Sequence, residues 1–448
     1  MKKLAFLINA LGCVFAVLPP AAPPSALSVE DVRAREAEAF HRDASTLGLP
    51  AAVEAFTVRK GERLREGLAS GRLAAGPVAH TTYGDVIGVT SGNVSQWLGV
   101  PFAAPPVGPL RWRPPQPPAP WSSPRDATWF GPTCPQTEAN TWAIFTGTAE
   151  DCLNLNIYAP AAAPPPGGYP VMLFWYGGSF TYGSAGFPLY DGFFEVSLLK
   201  NTIVVAANYR LGVLGFLAGD ELKAESTDGS VGTYGSMDQR FALEFLRDNA
   251  AAFGGDPTRV LIFGQSAGAA SVSQMLVNPR AAGLFSRAII ESGSFSAWTA
   301  QPYNISKTRL PQFSENVRCT GAGAALLACL RAVNVSEVLK GDKRLTEGFL
   351  EWSPTIDGVE ILDDPRVLLA QGKAADVPVM LGFVRFGACV AKTPAKLHTF
   401  DPPPPPPPKS TTHTGKGRGH HVCESAQGPE RLRIRGGDFH FPPLQPVR

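Results

Sequence analysis

Between about Val78 and Arg385, short apolar runs alternate with longer stretches of helical spacing. Val171-Met172-Leu173-Phe174-Trp175 and Val260-Leu261-Ile262-Phe263 are continuously apolar over strand length, which reads as strands buried on both faces. The second run is followed by Ala269-Ala270-Ser271-Val272-Ser273-Gln274-Met275-Leu276, which reads as a helix. Strand and helix in alternation predict an α/β fold with a mostly parallel central sheet flanked by helices. No internal repeat interrupts the pattern.

Outside 78–385 the pattern changes. Lys2-Lys3 precede the apolar stretch Leu4–Leu18 and then Pro, Ala and Ser, so residues 1–27 read as a secretory signal peptide cleaved between Ala22 and Ala26. The apolar stretch is too short to span a bilayer. Leu11-Gly12-Cys13 has the outline of a lipoprotein cleavage site, but the apolar run continues past it. Ser28 ahead of Glu30-Asp31 marks a helix start, and residues 28–77 read as a helical N-terminal extension or linker. Past Arg385 the periodicity stops. Pro402–Pro408 and an aperiodic Lys, Thr, Gly, Arg and His mixture lack the apolar density to offset ordering entropy, so residues 386–448 read as a proline-rich disordered tail.

Composition narrows the function. A chain of 448 residues, 44% hydrophobic, can bury a large single core, and its net charge of +2 favours no nucleic-acid partner. Sequons at Asn93, Asn304 and Asn334 fit a secreted glycoprotein.

The candidate chemistry sits at residues 253–271, Phe-Gly-Gly-Asp-Pro-Thr-Arg-Val-Leu-Ile-Phe-Gly-Gln-Ser-Ala-Gly-Ala-Ala-Ser, where a strand runs into G-x-S-x-G. The pentapeptide alone is a weak signal, because Gly and Ser crowd into ordinary turns. Between a strand and a helix it is the corner on which an α/β hydrolase raises a nucleophilic serine, here Ser266, with Gly264 and Gly268 keeping the neighbouring backbones clear.

The surrounding blocks resemble the type-B carboxylesterase family, to which cholinesterases belong. They are Trp97–Gly108, Leu110-Arg111-Trp112, Glu150-Asp151-Cys152-Leu153-Asn154-Leu155-Asn156, Asn208-Tyr209-Arg210-Leu211-Gly212, Asp238-Gln239 and Leu284–Gly293. Their order is the family's order. The resemblance implies a carboxylic ester hydrolase acting through an acyl-enzyme on a small-molecule ester, with no metal and no cofactor. It also implies an oxyanion hole from the N–H groups of Gly178, Ser179 and Ala267, with Ser179 where a third glycine or an alanine is usual. Cys134–Cys152 and Cys319–Cys329 match bridged positions in the family, and Arg111 and Glu150 match an ion pair. Gln265 replaces a common glutamate, which removes a carboxylate and weakens the case for a cationic substrate.

The constellation is incomplete. A serine hydroxyl needs a base, and the base needs an orienting third group. After Pro354-Thr355-Ile356-Asp357-Gly358 and the strand at 377–385, the resemblance places an acid, but Phe386-Gly387-Ala388 stand there. None of the histidines (His41, His80, His398, His413, His420, His421 and His440) lies between 81 and 397. Glu291 could serve as a substitute acid, yet without a histidine it has nothing to orient. The abrupt change at Arg385 is what reading through an intron would produce. The expectation is therefore a truncated hydrolase domain lacking its last strand or strands and impaired in catalysis. The other class of function is a non-catalytic binding or adhesion protein of the same family.

Overall fold

The computed structural model describes residues 75–137, 147–187, 190–343 and 352–383. The expected signal peptide, most of the 28–77 extension and the proline-rich tail lie outside the described residues. Contacts divide the chain at residues 384/385, and every described residue belongs to the first unit.

Ten strands form the main sheet among the described residues. They are β1 (Ala75–Thr81), β2 (Gly84–Ser91), β3 (Val94–Pro101), β4 (Arg125–Asp126), β5 (Asn154–Pro160), β6 (Tyr169–Trp175), β7 (Ile203–Ala207), β8 (Gly255–Gln265), β9 (Arg287–Glu291) and β12 (Val379–Gly382). Between the last two lie β10 (Gln301–Pro302) and β11 (Thr355–Ile356), which pair with each other. The order is β1-β2-β3-β5-β7-β6-β8-β9-β12, with β4 alongside β2. From β1 to β7 the neighbours are antiparallel; from β7 through β6, β8 and β9 to β12 they are parallel. The predicted mostly parallel sheet thus describes the half that carries the G-x-S-x-G motif. A connection such as β8 to β9 must cross over the sheet, and the helix Ala267–Val277 does so, packing on both strands.

Apolar density explains which strands lie deepest. Every residue of β5 and β7 is buried, whereas β1, at one edge, carries exposed residues. The helix Phe193–Leu199 packs on β3, β5 and β7, while Tyr234–Asn249 and Ala267–Val277 pack on β8. β12 behaves otherwise. Its run Val379-Met380-Leu381-Gly382 has the composition of a strand buried on both faces. Among the described residues it pairs only with β9, and Met380 and Leu381 are 65% and 54% exposed.

Two cross-links and several buried ion pairs fix the loops above the sheet. Cys134 is bonded to Cys152, and Cys319 to Cys329, as the resemblance implied. Arg111 meets Glu150 with Nε and Nη2 at 2.7 Å each, and its Nη1 donates to the carbonyls of Leu330 and Val333 at 3.0 and 2.8 Å. One arginine thereby ties the 101–120 loop to the end of the Gly323–Ala332 helix. Arg210 and Asp238 form a fully buried pair, with Nε and Nη2 donating at 2.8 Å each. Desolvation pushes the Asp238 carboxyl above the usual carboxylate range, against the lowering effect of Arg210. Such a pair is costly to break and is no sign of catalysis by itself.

Candidate active site

Ser266 is the single residue between β8 and the helix Ala267–Val277. Its backbone has φ 56° and ψ −118°, a conformation that costs roughly 1–3 kcal/mol for a residue with a side chain. Close packing on the inner side of the corner explains how it persists. A Cβ at Gly268 would lie 2.7 Å from the Trp175 carbonyl carbon, with the carbonyl oxygen closer still, so the first turn of the helix rests directly on the end of β6. A Cβ at Gly177 would fall 2.9 Å from the Ser266 Cβ. Only glycine at those two positions lets the β6 loop and the helix converge on the serine.

The loop after β6 is itself strained. Gly178, Ser179 and Phe180 have φ values of 117°, 54° and 60°. Ser179 therefore occupies a left-handed position that glycine would take at lower cost, a demand invisible in the sequence. Two tyrosines brace this loop. Tyr209 Oη donates to the Tyr176 carbonyl at 2.8 Å, Tyr176 Oη donates to the Tyr209 carbonyl at 3.3 Å, and their rings stack 4.5 Å apart. Gly212 N–H donates to the Phe180 carbonyl at 2.8 Å, holding the loop's far end. These braces carry no sequence signal beyond belonging to the Asn208–Gly212 block.

Among the described residues, the N–H groups of Gly178, Ser179 and Ala267 donate to no protein acceptor. Ser179 and Ala267 are buried, and buried backbone donors are almost always paired. Ala267 also opens its helix, where the first N–H groups have no intrahelical partner and the helix dipole favours negative charge. A loop that leaves such donors free beside a serine can stabilise an oxyanion.

Proton acceptors are another matter. Within the described residues the only histidine is His80, an exposed residue on β1 whose Nδ1 lies 2.8 Å from Asp85. β1 stands six strands from β8 in the sheet, and the turn after β1 docks on Asn249 ahead of β8 (Thr82 N–H to Asn249 Oδ1, 2.7 Å), whereas Ser266 lies past the far end of β8, so His80 does not reach Ser266. Phe386-Gly387-Ala388 and the remaining histidines lie outside the described residues. Glu291 ends β9 beside the serine, and its carbonyl accepts from Ser266 N–H at 2.9 Å. Its carboxyl is pushed up by desolvation although the side chain stays open to water. Gln265, paired with Glu291 across the strands, lies against the β6 loop: a Cβ at Gly177 would be 2.9 Å from its Oε1. Asn304 and Asn334 are exposed and Asn93 is half-buried in the turn between β2 and β3. No group of three His, Cys, Asp or Glu side chains is arranged to hold a metal ion among the described residues, and none of their helices is long and apolar enough to cross a membrane.

A mixed sheet, parallel in the half that carries a strained serine at a strand-to-helix corner beside unpaired amides, defines the class as an α/β hydrolase. The chain belongs to the carboxylesterase family, whose model matches residues 75–395. It is 38% identical over 309 residues to the fumonisin B1 esterase of Sphingopyxis macrogoltabida, covering 68% of this chain and 55% of that protein. It is 35% identical over 351 residues to neuroligin-2 of Homo sapiens, covering 68% and 41% respectively. A solved structure of PNB esterase superposes with a TM-score of 0.62 at 34% identity, over 69% of this chain and 63% of that one. The chain thus spans about half the length of these two protein relatives.

Proposed function

We propose that the chain carries the nucleophile half of a secreted carboxylic ester hydrolase, with Ser266 forming an acyl-enzyme that water then cleaves. Gly178, Ser179 and Ala267 supply the N–H groups that hold the oxyanion. The observation that carries this reading is the strained Ser266 backbone at the β8 corner, next to three unpaired amides. Strain of this kind is kept where the surrounding structure enforces it, and it clusters at reactive positions. The substrate is a small-molecule ester, and the neutral Gln265 beside the serine favours one without a cationic group. Residues 1–27 direct export, and 78–385 are the hydrolase domain. The two disulfides and the exposed sequons at Asn304 and Asn334, with Asn93, are compatible with export and glycosylation.

The 448-residue chain by itself is impaired, since no described histidine reaches Ser266. Losing triad members leaves only a residual rate about 10³–10⁴-fold above water, from oxyanion stabilisation and binding. The test is steady-state hydrolysis of p-nitrophenyl acetate by this chain and by a version continued past Arg385 with an acid and a histidine-bearing loop. The longer version should gain orders of magnitude and lose them on Ser266→Ala. Robust Ser266-dependent turnover by the shorter chain would overturn the impairment, and turnover of the longer one that survives Ser266→Ala would overturn the nucleophile. That no histidine among the described residues reaches Ser266 is the observation behind a second reading, a non-catalytic binding or adhesion protein of the same family. That reading predicts no gain from the longer version.

A further inference from the structure

We propose that Glu291-Ser292-Gly293 is a positioning clamp that grips the peptide groups on both sides of Ser266. On the N-terminal side, the Ser266 N–H donates to the Glu291 carbonyl at 2.9 Å. On the C-terminal side, a Cβ at Gly293 would come within 3.1 Å of the Ser266 carbonyl carbon and of the Ala269 Cβ, and closer still to the Ser266 carbonyl oxygen. Ser292 joins these two contacts with φ 54°, left-handed although it is not a glycine, so the chain turns back over the serine rather than continuing along β9. Its N–H donates to the Gly382 carbonyl at 2.7 Å, anchoring the turn to β12.

The N-terminal contact extends the β8–β9 ladder one step past the Gln265–Glu291 pair, whereas the close packing of Gly293 on the Ser266 carbonyl is a contact that a strand end does not require. The contacts bracket Ser266, whose own backbone is strained, and a side chain at 293 would meet the Ser266 carbonyl first and the Ala269 Cβ next. The Ser266 carbonyl accepts from Ala270 N–H at 3.0 Å in the helix that follows, while its N–H has its partner, the Glu291 carbonyl, on the adjacent strand end. Ser292 and Gly293 are therefore positioning residues, acting through the serine rather than on the ester.

The kinetic arm of the test rests on Ser266 being the nucleophile; the structural arm does not. Gly293→Ala in the full chain should speed hydrogen exchange of the Ser266 amide at least tenfold while leaving the Ile262 amide in β8 protected. In the version continued past Arg385 it should also lower kcat for p-nitrophenyl acetate about 10²-fold at constant KM, the scale expected of a nucleophile misplaced by about 1 Å. Should Gly293→Ala not fold, Ser292→Val and Ser292→Gly make the same comparison, with the β-branched variant expected to lose at least ten times more kcat and Ser266 protection than the glycine one. Unchanged Ser266 protection, or equal loss at Ser266 and Ile262, overturns the clamp. Turnover of the longer version that is the same with Ser266→Ala as without it overturns the nucleophile instead, and the exchange data then judge the clamp alone.

Discussion

Gly268→Ala concentrates the strain of the serine corner into one methyl group. The added Cβ would meet backbone rather than a movable side chain: the Trp175 carbonyl carbon at 2.7 Å, its oxygen nearer, and the Tyr176 carbonyl oxygen at 2.9 Å. Restoring an ordinary contact of about 3.4 Å to the carbonyl carbon alone requires about 0.7 Å of separation, and the nearer oxygen requires more. The helix Ala267–Val277 is entirely buried and cannot tilt away without opening its own packing. Overpacking of this kind costs about 1–3 kcal/mol. The displacement falls on the helix's first turn, so the Ala267 N–H leaves its place beside Ser266. A loss of one oxyanion donor costs about 10²–10³ in rate, on top of any loss of stability. Urea unfolding would report the first effect as a lower midpoint at unchanged slope. Residual p-nitrophenyl acetate hydrolysis, or that of the version extended past Arg385, would report the second. A Gly268→Ala protein with the wild-type midpoint and rate would refute the reasoning, because it would mean that β6 and the helix are not in contact at this point.

Three other outcomes are expected. Glu360→Ala should lose about 1–3 kcal/mol in chemical unfolding, because Glu360 is buried and accepts from Arg240 Nε at 2.7 Å and Asn278 Nδ2 at 2.8 Å, and its removal leaves those donors unpaired while Arg240 keeps its Glu244 partner. Replacing Cys134 and Cys152 together by serine should cost about 2–4 kcal/mol, measured against the wild type without reductant, since the bridge closes a loop across 18 positions. The Asp256 carboxyl is lowered to about 2, first by the Thr258 hydroxyl and then by Arg259 and the Thr258 N–H. A depressed carboxylate stabilises the fold above its unfolded pKa of about 3.9 and loses that contribution as pH falls through the folded value. Asp256→Asn should therefore be less stable than the wild type at pH 7, with the gap closing between about pH 4 and pH 2 in a series of thermal melts.

Local signals carried much of this protein's architecture. The apolar runs at Val171–Trp175 and Val260–Phe263 fall inside β6 and β8, because burial on both faces of a parallel strand demands unbroken apolar sequence. G-x-S-x-G between a strand and a helix located the corner, since only small residues fit there. The antiparallel half of the sheet was not legible, because the partners of β1, β2 and β3 are chosen by the fold rather than by their own composition. Nor could sequence show that Ser179 and Ser292 sit at positive φ, that two tyrosines brace the loop above the serine, or that Gly293 packs on the nucleophile's carbonyl. Those features depend on where distant backbone segments meet. His80 makes the same point in reverse. As a residue type it was a candidate base, and the strand order alone, with five strands between β1 and β8, removes it from the chemistry. The sequence by itself determined which residue types are present and the periods that make strands and helices, while the tertiary structure decided which of them share a site, because reach across a sheet is set by strand order and not by position in the chain.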